Sequence, residues 1–264
     1  VGRMTAAQVA KSVFCSSMYA PADEGAPLQE ADLSPFATTD LAKLLENSSK
    51  MVPSGVATQL SMSDPVQSAA FHSDRGLIVV GMKGVASHDA MKMAVLIYLH
   101  EIGHSLQFTR AASKVALLEF RSSGAAKEKA FEAHADMLGG FLLFHLIESL
   151  YKEMEPENEM ALSIQDREMT GQIFFYDQEA TSSPAITSLF PPVPQYLEED
   201  GKFDEYFISY RFIGGKKGRG NTHPSQAERM EYLKRGFREA FYGVGGVAFF
   251  EGTAQELEIW AGFT

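Results

Sequence analysis

The stretch DAMKMAVLIYLHEIGHSLQFTRAA (residues 89–112) constrains this chain's fold more than any other. Nothing in it signals a turn, and Ser87 or Asp89 can cap its start, so a long helix is expected. Its apolar positions Met93, Val95, Leu96, Leu99 and Ile102 are too dense for a single stripe. Such a helix is buried on most sides and needs neighbours all round it. A second strong helical run spans about 125–153, AAKEKAFEAHADMLGGFLLFHLIESLYKE, after the turn signal RSSG. Gly139–Gly140 in its middle either weaken it or let another element come close.

The remaining elements are shorter. LIVV sets a strand over roughly 77–81, and a helix over 38–47 is opened by Thr38, Thr39 or Asp40 and carries Leu41, Leu44 and Leu45 on one side. Residues 4–20 and 158–179 have helical patterns, with the acidic turn EMEPENEM before the second. The proline-rich segment 182–205 reads as loop. A final amphipathic helix is expected over 225–242, with Pro224 at its start and Gly243 at its end, followed by an irregular tail from 244 on. No linker divides the chain, so a single α+β domain over 1–264 is expected, mostly helical with a small β-sheet.

Composition excludes several classes. A hydrophobic content of 45% supplies a sizeable core. A formal net charge of −11 argues against a general nucleic-acid binder, whose footprint is basic. The only cysteine, Cys15, allows no intrachain disulfide and no cysteine-based zinc site; it reads as a small apolar residue near a helix. No apolar run approaches the roughly 20 residues that span a bilayer, so no integral membrane segment is expected. The start of the chain does not read as a signal peptide. The compartment stays open: envelope, periplasm or secreted if a leader has been removed, cytoplasmic otherwise.

The chemistry begins inside the first long helix. His100 and His104 are four apart and therefore share a face, so their imidazoles can meet on one ion. Glu101, turned away from that face, reaches a bound water rather than the metal and can act as general base. The same five residues, HEIGH, are also compatible with a helix that merely carries two imidazoles. Gly103 lowers helix propensity by about 1 kcal/mol against alanine, which suggests that something approaches closely there.

A catalytic zinc site needs a third protein ligand. The second helix offers FEAHADMLGG, in which Glu132 and Asp136 are four apart on one face. Glu132 is the expected third ligand, and Asp136 is placed to accept the free N–H of a ligating histidine. His134 competes for that place but points almost to the opposite side of the helix, so only one of the two can face the metal.

HExxH followed on a later helix by E-x-x-A-D resembles the M48 group of gluzincin metallopeptidases. Two further stretches match that family's pattern. GLIVVGMKGV precedes the zinc helix, where the family has the strand lining its substrate cleft, and NTHPSQAERMEYL (221–233) resembles its late T-H-P-x-x-x-x-R segment. The likeness covers about 75–235, with long unmatched stretches inside.

The resemblance implies a zincin-like domain with one Zn2+ held by His100, His104 and Glu132, with Glu101 as base and Asp136 as support. It also implies that His223 and Arg229 lie beside the site. His223 would donate to the tetrahedral oxyanion, and Arg229 would pair with a carboxylate nearby. The expected partner is a polypeptide, held along an exposed strand edge by backbone hydrogen bonds. The absence of membrane helices departs from many members, so their membrane-protein substrates are not carried over.

The remaining candidates read as structural. His72 and His88 are surface or cap residues, and His145 is a core histidine. Tyr206, Tyr210 and Phe212 belong to the core, and GGKKGRG is a basic loop without Walker spacing. The expected activity is zinc-dependent endopeptidase. The alternatives are a catalytically silent zinc-binding scaffold or chaperone of the same fold, and a metal-dependent hydrolase of a non-peptide amide.

Overall fold

The computed structural model describes residues 40–65, 69–85, 87–152, 189–193, 202–207, 210 and 223–259. The expected helices over 4–20 and 158–179, the acidic turn, Cys15, Phe212 and the GGKKGRG loop lie outside the described residues. What is described is mostly helical with one small sheet, an α+β arrangement.

Helix α1 (Asp40–Ser49) buries Leu44 and Leu45 and leads into strand β1 (Ala57–Pro65). Strands β2 (Ala70–His72) and β3 (Leu77–Lys83) follow, and the sheet order is β1-β3-β2. β1 runs parallel to β3, with Ala57 opposite Leu77 and Ser61 opposite Gly81. β2 runs antiparallel to it, with Phe71 opposite Ile78.

The strand expected over 77–81 is therefore present, but it is not the sheet's exposed edge. It is the centre, buried almost continuously as a two-sided strand should be. The edge role falls to β2, which along with β1 is invisible to period-2 reading. β1 mixes Thr58, Gln59, Ser61 and Ser63 into its run, and it buries Thr58 by pairing its hydroxyl with Tyr98 Oη at 2.7 Å.

Helix α2 (His88–Arg110) starts at Ser87, whose Oγ accepts the Ala90 N–H, and is buried on most of its surface as its sequence requires. Helix α3 (Lys114–Ser122) fills the connection to helix α4 (Ala125–Lys152). α2 and α4 are held close by absent side chains. A Cβ at Gly103 would stand 2.8 Å from the Ala135 carbonyl oxygen, so the methyl that helix propensity favours is sterically barred.

Helix α5 (Lys202–Phe207) corrects the expectation of loop through 205; Phe203 and Phe207 anchor it against Phe237. Helix α6 (Gln226–Phe241) has the expected bounds. Ser225 and Glu228 close a reciprocal capping box, and Gly243 follows the helix at a φ of +77°.

The tail is not irregular. Helix α7 (Gly246–Glu256) buries Phe249, Phe250, Thr253 and Ala254. Its glycines and lack of a capping side chain hide it in the sequence, and stacking of Phe249 on Phe141 at 4.8 Å between ring centroids shows what holds it. His145 is exposed rather than in the core, set against the edges of Phe141 and Phe144. His72 and His88 are exposed, and Tyr210 is buried, as expected. Among the described residues no helix is long and apolar enough to cross a membrane.

Candidate metal centre

The face-sharing spacings on α2 and α4 meet in space. His100, His104 and Glu132 are all buried, and one donor atom from each lies within 4.8 Å of the others. Glu132 Oε2 stands 3.3 Å from His100 Nε2 and 3.4 Å from His104 Nε2. A tetrahedral ion with bonds of about 2.0–2.1 Å separates its ligand atoms by roughly 3.3–3.4 Å, which both Glu132–histidine distances match.

The electrostatics point the same way. Burial acts to lower the His100 pKa, yet the carboxylates of Asp136 and Glu132 together prevail over burial and the Arg229 cation and raise it to about 9. Burial acts to raise Glu132, yet His104 and His100 hold it well below the usual carboxylate range. A buried carboxylate that keeps its charge beside an imidazole that takes up a proton is a centre that draws positive charge. A divalent cation meets the same demand.

Each imidazole is held from behind. His100 Nδ1 lies 2.8 Å from Asp136 Oδ1, the hydrogen bond expected of Asp136. Arg229 donates from Nε and Nη2 to the same carboxylate at 2.8–3.2 Å, with Nη2 3.1 Å from His100 Nδ1. Arg229 therefore has the carboxylate partner that the resemblance implies, and Asp136 is fully buried beneath it. The T-H-P-x-x-x-x-R pattern becomes legible here. Ser225 caps α6, and Arg229, in the first turn, is carried over Asp136.

His104 rests on a neutral network. Its Nδ1 meets Gln107 Oε1 at 2.8 Å, and its ring stacks on Phe131 at 4.9 Å between centroids. Gln107 Nε2 reaches the Phe131 carbonyl at 3.0 Å and His134 Nδ1 at 2.9 Å, and His134 Nε2 lies 3.3 Å from the Phe250 carbonyl. His134 thus makes its hydrogen bonds to Gln107 and Phe250, away from the His100, His104 and Glu132 cluster. Burial, against the opposing hydrogen bond to the Phe250 carbonyl, pushes its pKa down to about 3, so it is neutral.

The centre opens on a cavity of about 490 Å³ lined by Ala69, Ala70, Phe71, Glu101, His104 and Glu132, with Arg121 and His223 also on its wall. Glu101 is buried and accepts the Phe71 N–H on Oε2 at 2.7 Å, which brings edge strand β2 to the glutamate of the HEIGH sequence. His223 Nε2 is 3.9 Å from Glu132 Oε1 and its side chain is a third exposed. All seven sequence-derived site residues, His100, Glu101, His104, Glu132, Asp136, His223 and Arg229, are brought together.

Sequence reasoning missed Phe71, Gln107 and Arg121. Arg121 Nη2 stands 3.6 Å from Glu132 Oε1, and its guanidinium lies over the Phe131 ring at 5.2 Å. Gln107 left a usable signal, since it lies three residues beyond His104 on the same helix face. Phe71 and Arg121 left none, because tertiary packing alone brings them in. No protein-family model, curated protein or solved structure matches the chain.

Proposed function

We propose that the protein is a zinc-dependent endopeptidase with a zincin-like fold of the M48 gluzincin kind. The observation that carries this is that Glu132 Oε2 lies 3.3 Å from His100 Nε2 and 3.4 Å from His104 Nε2, with His104, Glu132 and Glu101 on the wall of one cavity. His100, His104 and Glu132 would hold the ion. Bound there, zinc supplies Lewis acidity, which activates water and polarises a carbonyl.

The chain's own residues do the rest. Glu101 takes the proton from the attacking water and passes it to the leaving amine nitrogen as the C–N bond breaks. His223, on the cavity wall, donates to the oxygen on which negative charge develops. An extended peptide lies along β2, whose outward backbone groups at Phe71 face the cavity; backbone pairing gives affinity with little demand on sequence. Asp136 and Arg229 fix the His100 ring, and β3 supports β2 from behind.

Purified protein should bind about one zinc per chain, and His100→Ala or Glu132→Ala should abolish that uptake. Glu101→Gln should keep the zinc and lose cleavage of an unfolded substrate such as casein. Stoichiometric metal in both ligand variants would overturn the ligand set. A zinc-loaded wild type that is inert on casein and on a broad peptide library would replace the peptidase by a scaffold or by a hydrolase of a non-peptide amide.

A further inference from the structure

Gln107 and His134 are both fully buried, polar and outside the seven-residue set, and their hydrogen bonds admit one arrangement of protons. The starting point is the Phe131 carbonyl, which can only accept. The atom of Gln107 that faces it must therefore be the amide nitrogen, since the opposite orientation would set two oxygens 3.0 Å apart. The same nitrogen spends its other N–H on His134 Nδ1 at 2.9 Å, so that ring nitrogen carries a lone pair. His134 then keeps its proton on Nε2, where it faces the Phe250 carbonyl at 3.3 Å.

Read in the other direction, Gln107 Oε1 is left to accept, and what faces it at 2.8 Å is His104 Nδ1. That nitrogen must be the donor. In the neutral ring His104 Nε2 is then left with its lone pair directed at the centre, where Glu132 Oε2 lies 3.4 Å away. One backbone carbonyl on α4 and another on α7 thus decide which nitrogen of His104 is a ligand. Both ends are backbone atoms, which do not change donor or acceptor character.

We infer that Gln107 and His134 are positioning residues of the metal centre, holding His104 in its Nδ1–H tautomer and tying α7 to the site. The inference rests on the metal reading above. The two histidine ligands are then supported differently: His100 by the charged pair Asp136–Arg229, and His104 by a neutral relay. The neutral relay fixes orientation without adding another charge to a buried centre.

Two measurements on the full chain test it. Two-bond ¹H–¹⁵N correlation spectra of the imidazoles should show His134 as the Nε2–H tautomer with and without zinc, and His104 as Nδ1–H in the zinc-loaded protein. Zinc affinity, measured by chelator competition on variants whose folding is checked by circular dichroism, should fall about 10- to 100-fold in Gln107→Leu. Gln107→Glu, which still accepts from His104 Nδ1–H, should recover most of that loss even though its stability falls.

A residue with only a packing role would lower stability in both variants and leave the affinity of the folded fraction unchanged. His134 found as Nδ1–H, or wild-type affinity in Gln107→Leu, would overturn the inference. Wild-type protein that takes up no zinc would instead remove the metal reading on which it depends, a separately visible result.

Discussion

At the scale of single residues, two buried histidines set opposite limits on pH. His134 is held neutral, its pKa pushed down to about 3 by burial. An unfolded chain protonates this residue near pH 6.5, so the stability it lends is whole above that pH. It is lost as pH falls from about 6.5 towards 3, at about 1.4 kcal/mol per pH unit. His100 works the other way in the metal-free protein: burial opposes its charge, the Asp136 and Glu132 carboxylates together prevail, and its pKa rises to about 9. Its contribution is whole below about pH 6.5 and is lost as pH rises through about 9. The thermal midpoint of the metal-free protein should therefore peak near pH 6.5. His134→Phe should flatten the decline between pH 6.5 and 5, a range above ordinary carboxylate titration. An unchanged slope in that variant would mean that another group carries the acid limb.

At the scale of elements, spacing between helices is fixed by what glycine lacks. A Cβ at Gly140 would lie 1.9 Å from the Leu233 carbonyl oxygen, and one at Gly236 would lie 1.8 Å from that of Met137. α4 and α6 therefore touch backbone to backbone. Gly236→Ala should cost about 3 kcal/mol in urea unfolding, because neither backbone can yield without moving its helix. A loss within the few tenths expected of a surface site would contradict that contact. Gly139–Gly140 announced this in the sequence as a weak spot or a close approach, and it is the second. α2, α4 and α6 were legible because capping residues, helical period and turn signals are local. β1, β2 and α7 were not, because their existence depends on partners: β2 is three residues whose pairing is with β3, and α7 depends on Phe249 and Phe250 finding α4.

At the scale of the whole molecule, the site is a junction of α2, α4, α6 and β2. The meeting of His100, His104 and Glu132 was legible because two i, i+4 spacings, His100/His104 and Glu132/Asp136, each put a pair of side chains on one helix face. Their supports were legible only in part: Asp136 shares a face with Glu132 and Gln107 one with His104, whereas Arg121 becomes a neighbour of the centre only once α3 and α4 are assembled. Asp136–Arg229 shows how far the junction reaches, since it pairs residues 93 apart in sequence, both buried. Asp136→Asn leaves the Arg229 cation buried without its counter-charge and should cost about 3–5 kcal/mol in chemical denaturation. It should also weaken zinc uptake, because His100 loses the carboxylate that orients it. Full stability in Asp136→Asn would show that the pair is not a support of the fold.

The hydrogen bond from the Phe71 N–H to Glu101 has a consequence for how such a site would be switched on. On the proposed peptidase reading, the donor that an incoming peptide strand would need at the outer edge of β2 is the one that Glu101 already occupies. Peptide docking and release of the carboxylate would then be a single exchange, one acceptor replacing another on the same N–H. Ligands too small to form a strand would leave the carboxylate tethered. Chain length, rather than any particular side chain, becomes the quantity that such an exchange measures.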